Sequence, residues 1–350
     1  MVLTYEDGTV PAHTVKYPGA RDVKATPAGL TVDGKPFYAL GFFDVPFENL
    51  GDVAAIQGAN TVVWGGSADC FNTDQEVYAD KAYDLGLSTV PDFTTTARLA
   101  TPDVFPAVMK RFANHRAHVA LYLADEPDQG YYQYSLIDPA VLAMETMAAH
   151  QATTLPLTAD LQHAHYDPPA IDEPFSGAVD IYSSEPYGDS LAGVTQSFVV
   201  FGQMAPRAVW LFDDTGHTDP TNVVPKAWYG AILGGRSQVY FAWGGGDMGN
   251  LAAESQAIGE LAQLTDVIYA TDTSSDVTAP QGIAFIGRRS GGKTYVIAVN
   301  PTTQPITGSF GVKHLAATTG KVLFESRDVA VSGGSFSDTF PPVSRHVYAF

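Results

Sequence analysis

The chain has 350 residues, 45% of them hydrophobic and 11% aromatic, which is enough apolar mass for one large domain plus a smaller one and too much for a disordered chain. Its 19 Lys and Arg against 38 Asp and Glu give a formal net charge of −19, which argues against nucleic acid or an anionic membrane as partner, because both need basic patches. The single cysteine, Cys70, excludes an intrachain disulfide and has no evident activating base for a nucleophilic role.

The opening MVLTYEDGTV lacks the basic start and apolar core of a signal peptide, and no stretch approaches the roughly 20 apolar residues of a membrane span. Cytoplasmic, extracellular and virion-associated settings all stay open. Turn signals at Tyr17-Pro18-Gly19 and Asp33-Gly34-Lys35 make residues 1–35 a short β extension. PFYALGFFDVP, ending near Asp44, then begins an alternation of strand and helix patterns. Strands are expected at 59–66, 88–94, 119–127, 156–162, 179–188, 207–214 and 237–244. Helices are expected at 74–87, 101–117, 138–153, 190–204, 222–235 and 251–269. With the run before Asp44 this makes eight strands, several apolar on both faces, as parallel strands covered by helices are.

Eight such alternations fit a (β/α)8 barrel over residues 36–272. An open doubly wound sheet would carry a glycine-rich phosphate loop after its first strand, and none is present there. From about residue 280 the pattern switches to period two with turns at Gly291-Gly292, Asn300-Pro301 and Gly333-Gly334. Residues 273–350 are therefore expected to form an antiparallel β-sandwich.

The chemistry concentrates where strands end. VALYLADEPD stops abruptly at Asp125-Glu126-Pro127-Asp128, and unpaired charge buried there would cost several kcal/mol. The C-terminal ends of barrel strands are where active sites sit. Polar or aromatic residues recur at the other strand ends: Asp44, Trp64, Asp92, Asp160 and Gln162, Glu185 and Tyr187, Asp213 and Asp214, and Trp243. A single polar strand end means little, because loops are polar anyway; recurrence around a ring points to one shared pocket.

Two carboxylates on opposite walls of such a pocket can cleave a glycosidic bond. Glu126 is the expected general acid/base. Strand alternation lets only one of Asp213 and Asp214 follow the barrel interior; Asp213 is the expected nucleophile or base, with Glu185 the runner-up. Asp125, Glu185, Tyr187, Trp243, Asp214, Asp44 and Trp64 are expected to shape the sugar site, with Trp243 offering a ring face. Tyr131, Tyr132 and Tyr134 could line the cleft or pack beneath it. His163 and His165, followed by Asp167, could hold a divalent ion, but a solvated loop explains them better. Gly244-Gly245-Gly246-Asp247 lacks the lysine of a phosphate loop. No metal and no cofactor is expected.

The chain resembles the large clan of (β/α)8-barrel glycoside hydrolases. LTVDGKPFYALGF looks like their opening turn and first barrel strand. LYLADEPD looks like their fourth-strand motif, in which a glutamate before proline is the acid/base, here Glu126. RAVWLFDDTG resembles their seventh-strand segment with its nucleophile, here Asp213. PKAWYGAILGGRSQVYFAWG resembles their last helix and strand, with a sugar-binding aromatic, here Trp243. Two positions depart from that pattern: Asp125 stands where asparagine usually precedes the acid/base, and aspartate stands where the seventh-strand nucleophile is usually glutamate. The resemblance implies hydrolysis of an oligo- or polysaccharide, with carbohydrate as partner. A non-catalytic glycan-binding or structural protein on the same scaffold is the alternative reading, and a metal-dependent hydrolase is a further one.

Overall fold

The computed structural model describes residues 14–64, 74–93, 106, 109–110, 113–128, 137–162, 173–188, 191–204, 206–214, 218–241, 243 and 250–350. Three short antiparallel strands come first: β1 (Val23–Thr26), β2 (Gly29–Val32) and β3 (Lys35–Phe37). Eight parallel strands follow: β4 (Ala39–Phe43), β5 (Thr61–Trp64), β6 (Ser88–Pro91), β7 (Leu121–Ala124), β8 (Leu157–Asp160), β9 (Ile181–Ser184), β10 (Ala208–Asp214) and β11 (Ser237–Phe241). Their spatial order, β6-β5-β4-β11-β10-β9-β8-β7, is that of a barrel opened at one seam. Parallel bridges Thr89–His118 and Asp92–Tyr122 close that seam, with Phe93 N donating to Tyr122 O at 2.7 Å. The expected (β/α)8 barrel is therefore observed.

The register shows which side chains face inward. Phe43 pairs with Val63 and Val63 with Val90, and all three are buried in the same core as Tyr122, Trp210, Phe212 and Val239. Phe43 touches Tyr122, Phe212 and Phe241 with ring centroids 5.6–5.8 Å apart. These rings plug the barrel, so it is a packed core and not a pore. The alternate residues Leu40, Phe42, Val62, Leu211 and Tyr240 face the helices.

The described helices are α1 (Leu50–Ala55), α2 (Asp74–Asp84), α3 (Pro139–His150), α4 (Leu191–Met204), α5 (Pro220–Leu233), α6 (Leu251–Gln263) and α7 (Thr265–Ile268). Asp138 and Asp219 cap α3 and α5 by accepting from the N–H groups of Ala140 and Thr221, each at 2.8 Å, and a proline follows each cap. Gly234 ends α5 at φ 115, a conformation that favours glycine. A Cβ on Gly230 would fall 2.1 Å from Leu211 Cδ1, so this glycine lets α5 lie directly on β10. The single helix expected at 251–269 breaks at Leu264, where Thr265 Oγ1 turns back to Leu261 O at 3.2 Å. Most of the helix expected at 101–117 lies outside the described residues.

The C-terminal region forms two antiparallel sheets. One contains β12 (Thr271–Asp272), β14 (Ala284–Ser290), β15 (Lys293–Asn300), β20 (Ser344–Ala349), β17 (Thr319–Leu323) and β18 (Arg327–Ala330). The other contains β13 (Val277–Thr278), β16 (Ile306–Val312) and β19 (Ser335–Phe340). Val296, Ala298 and Tyr348 from the first sheet pack against Phe310, Phe336 and Phe340 from the second, which makes the expected sandwich. Among the described residues, no helix is long and apolar enough to cross a membrane.

Candidate active site

Three strand ends converge at one mouth of the barrel. The register of β7 against β8 slips between Tyr122 and Ala124, an irregularity of the kind that re-aims a chain beside a site. Two residues later Glu126 adopts φ 44, a left-handed conformation that costs a non-glycine residue about 1 kcal/mol or more. Pro127 then ends the segment. The result is a carboxylate turned inward and 8% exposed.

Asp160 closes β8 and is 0% exposed; Glu185 follows β9 and is 5% exposed. One carboxylate oxygen from each of Glu126, Asp160 and Glu185 lies within 4.8 Å of the others. No histidine or cysteine joins this group among the described residues. Burial pushes the Asp160 carboxyl well above its ordinary range; the Ser183 hydroxyl opposes it, and the nearby charges of Asp125, Glu126 and Asp128 add to the rise. Tyr122 beneath them is likewise pushed up, by burial and then by Asp125, Asp160 and Glu185. Its hydroxyl donates to Asp125 Oδ1 at 2.8 Å, which fixes the half-buried Asp125 beside Glu126.

Asp213 occupies a different wall. It is in register with Tyr240, and Tyr240 with Phe42, two residues that pack toward the helices. Its carboxylate therefore meets the helix layer, where Lys226 Nζ from α5 donates to Oδ1 at 2.7 Å. Both side chains are 2% exposed. Alternation does separate Asp213 from its neighbour, but it turns Asp213 away from the interior face it was expected to follow. Lys226 Nζ also donates to the carbonyls of Pro186 and Gly188, the latter at 3.0 Å. The Asp213–Lys226 pair thus clamps the segment just after Glu185. Lys226 was legible as a cation inside the apolar helical run NVVPKAWYGAILGG, but its partner was not.

The remaining expected residues ring the same mouth in part. Tyr187 is half-buried, and its N–H donates to Glu185 O at 2.8 Å. Asp44 is half-buried at φ 52, and burial raises its carboxyl. Trp243 packs edge-on against the helix-facing Phe42 at 5.1 Å, and its backbone N–H donates to Phe43 O at 3.0 Å. Asp214 ends β10 opposite Phe241 and Trp64 ends β5, but the side chains of both lie outside the described residues. Cys70, Tyr131, Tyr132, Tyr134, His163, His165, Asp167 and Gly244 to Asp247 lie outside them altogether.

The architecture is similar to that of solved glycoside hydrolases. An α-amylase from Geobacillus thermoleovorans in complex with acarbose superposes with a TM-score of 0.62 at 10% identity, covering 89% of this chain and 98% of that one. A family 30 endoxylanase from Clostridium papyrosolvens gives 0.56 at 13% identity, covering 95% and 98%. A maltogenic α-amylase from Thermotoga neapolitana gives 0.56 at 10% identity, covering 90% and 98%. The resemblance to the barrel glycoside hydrolases is borne out as a likeness of fold. No family model matches the sequence. No curated protein matches it either.

Proposed function

We propose that this protein hydrolyses a glycosidic bond in an oligo- or polysaccharide, with Glu126 as general acid and base and Glu185 as the second carboxylate. The observation that carries the reading is the approach of Glu126 to Glu185 within 4.8 Å at a barrel mouth. Separations of about 5–5.5 Å suit a retaining mechanism, whereas inverting pairs stand about 6.5–9.5 Å apart to admit water. With their nearest oxygens inside 4.8 Å, the pair falls toward the retaining spacing, and retention is the proposed outcome. Glu185 attacks the anomeric carbon while protonated Glu126 gives its proton to the leaving oxygen. Glu126 then takes a proton from the water that releases the sugar, which returns both carboxyls to their starting states.

Asp213 was the first candidate for the second role. Its ion pair with Lys226 supports a positioning role instead, holding the backbone beyond Glu185 in place. Asp125, Tyr187, Asp44, Asp214, Trp64 and Trp243 are proposed to contact the sugar around the mouth. The fold neighbours add weight because some of them are complexes with glycans: acarbose in the Geobacillus enzyme, maltose in another amylase.

The test is hydrolysis across aryl glycosides and polysaccharides by wild type, Glu126→Gln, Glu185→Gln and Asp213→Asn. Glu126→Gln and Glu185→Gln are each expected to lose about 100-fold to 10,000-fold with folding unchanged. An active Glu185→Gln alongside a folded, inactive Asp213→Asn would return the second role to Asp213. A wild type that retains glycans on an affinity gel yet cleaves none would support the non-catalytic glycan-binding reading.

A further inference from the structure

Asp160 stands apart from the two carboxylates given catalytic roles. Both of its oxygens are buried, and neither has a hydrogen-bond partner. Register sets Asp160 beside Ser183, and Ser183 beside Trp210, on the inward face of the barrel. The donors nearest in the ladder make no hydrogen bond to it, although the Ser183 hydroxyl is near enough to oppose the rise in its proton affinity. Ser183 Oγ donates to Ala159 O at 3.3 Å, and Thr158 Oγ1 and Trp210 Nε1 are themselves without partners. Around Asp160 stand further acids from each neighbouring wall: Asp125, Glu126 and Asp128 beyond β7, the Tyr122 phenol from β7, and Glu185 beyond β9. A carboxylate with no donor, facing others inside 4.8 Å, is far more stable as the neutral acid.

We infer that Asp160 is a permanent carboxylic acid that directs its proton at the Glu126–Glu185 pair and so sets how that pair titrates. It is a positioning residue: it contacts no reacting atom, but it lets Glu185 stay ionised next to Glu126 without a third negative charge behind them. Its proton is not consumed, because Glu126 carries the proton that moves in each cycle. The catalytic half of this inference rests on the proposed glycosidase reading, whereas the protonation of Asp160 does not.

The experiment compares wild type, Asp160→Asn and Asp160→Leu. Asparagine is isosteric and neutral, and it still donates; leucine does not. Difference infrared spectroscopy at neutral pH is expected to show the carbonyl stretch of a protonated carboxyl in wild type and its loss in Asp160→Asn. Stability gives a second readout independent of activity. A carboxyl that binds its proton more tightly when folded contributes stability that is present at low pH and lost as pH rises through its folded-state value. Wild type is therefore expected to lose stability relative to Asp160→Asn as pH rises from about 4, the unfolded value of an aspartate, to the folded-state value. In the activity arm, Asp160→Asn is expected to stay within about threefold of wild type with the same pH profile. Asp160→Leu is expected to shift the profile and fall at least tenfold.

An unchanged infrared spectrum, or parallel stability curves for wild type and Asp160→Asn, would overturn the inference. So would a thermal shift by millimolar calcium or magnesium that Asp160→Asn abolishes, because a cation and not a proton would then fill the cluster. Glycosidase activity absent from wild type, together with the expected infrared signal, would overturn the catalytic reading and leave the neutral acid standing.

Discussion

Lys226 shows how a residue far from any reacting atom can govern the site. Its ammonium is 2% exposed and divides its bonds among Asp213 and the carbonyls of Pro186 and Gly188. Removing one member of a buried pair leaves the other as uncompensated charge, which costs about 3–5 kcal/mol. Lys226→Met is therefore expected to lose about that much stability in urea denaturation. Lys226→Met combined with Asp213→Leu should recover part of it, because the orphaned carboxylate goes too. If the double variant is no more stable than Lys226→Met, the carbonyls of the 186–188 segment, and not Asp213, are what Lys226 chiefly serves. The clamp also explains how Glu185 is aimed although no regular element continues beyond Ser184: the segment that follows is tied to α5.

At the scale of elements, α3 and β9 are joined by one carboxylate. Asp180 lies just before β9 and accepts from His150 Nε2 at 2.9 Å, from Leu157 N at 2.9 Å and from Arg207 at 3.0 Å. The bond to Asp180 raises the proton affinity of His150, against the smaller effect of its partial burial. A histidine raised in this way contributes stability that is full below its unfolded value of about 6.5 and is lost as pH rises through its folded value. His150 is about a third exposed, so screening keeps the effect small. His150→Ala is expected to cost about 1 kcal/mol at pH 5.5 and clearly less at pH 8, read from denaturant midpoints at both values. An equal cost at both would mean that packing, not charge, joins the helix to the strand. The elements themselves were largely legible in the sequence, because apolar β-branched and aromatic runs such as RAVWLFDD alternate with amphipathic stretches. The site was legible in part. The turn after VALYLADEPD marks Glu126 because a charge cluster ends an apolar strand there. Asp160, which ends the equally apolar PLTAD, has no linear motif around it. Its importance comes from two other strands that the barrel brings beside it. The facing of Asp213 was hidden for a similar reason: one residue of register decides between the interior and the helices.

The barrel and the sandwich are joined by both apolar and polar contacts. Ile286, Ile297, Val299 and Val347 from the C-terminal sheet share a core with Trp228, Ala257 and Leu261 from α5 and α6. Through that core runs a charged chain. Glu260 of α6 accepts from Trp228 Nε1 at 2.8 Å and from Arg345 at 2.5 and 3.0 Å. Arg345, on β20, also reaches Glu325 at 3.1 Å, and Glu325 in turn holds His346 and Arg327. Arg345 and Glu260 are 10% and 5% exposed, so the pair is shielded from salt and from competing water. Arg345→Met would keep most of the side-chain volume while leaving Glu260 with only its neutral donors. The expected cost is about 3 kcal/mol, since both carboxylates lose a cation in a nearly dry setting. Because the chain crosses between the two units, the loss should fall on their coupling more than on either core. Calorimetry of wild type is expected to show one cooperative transition, and that of Arg345→Met two, the first belonging to the sandwich. A single transition with an unshifted midpoint would mean that the shared apolar core alone couples them. The barrel mouth would then be indifferent to the sandwich. If the transition splits, the sandwich supports α5 through Glu260 and Trp228, and with it the lysine that aims Glu185.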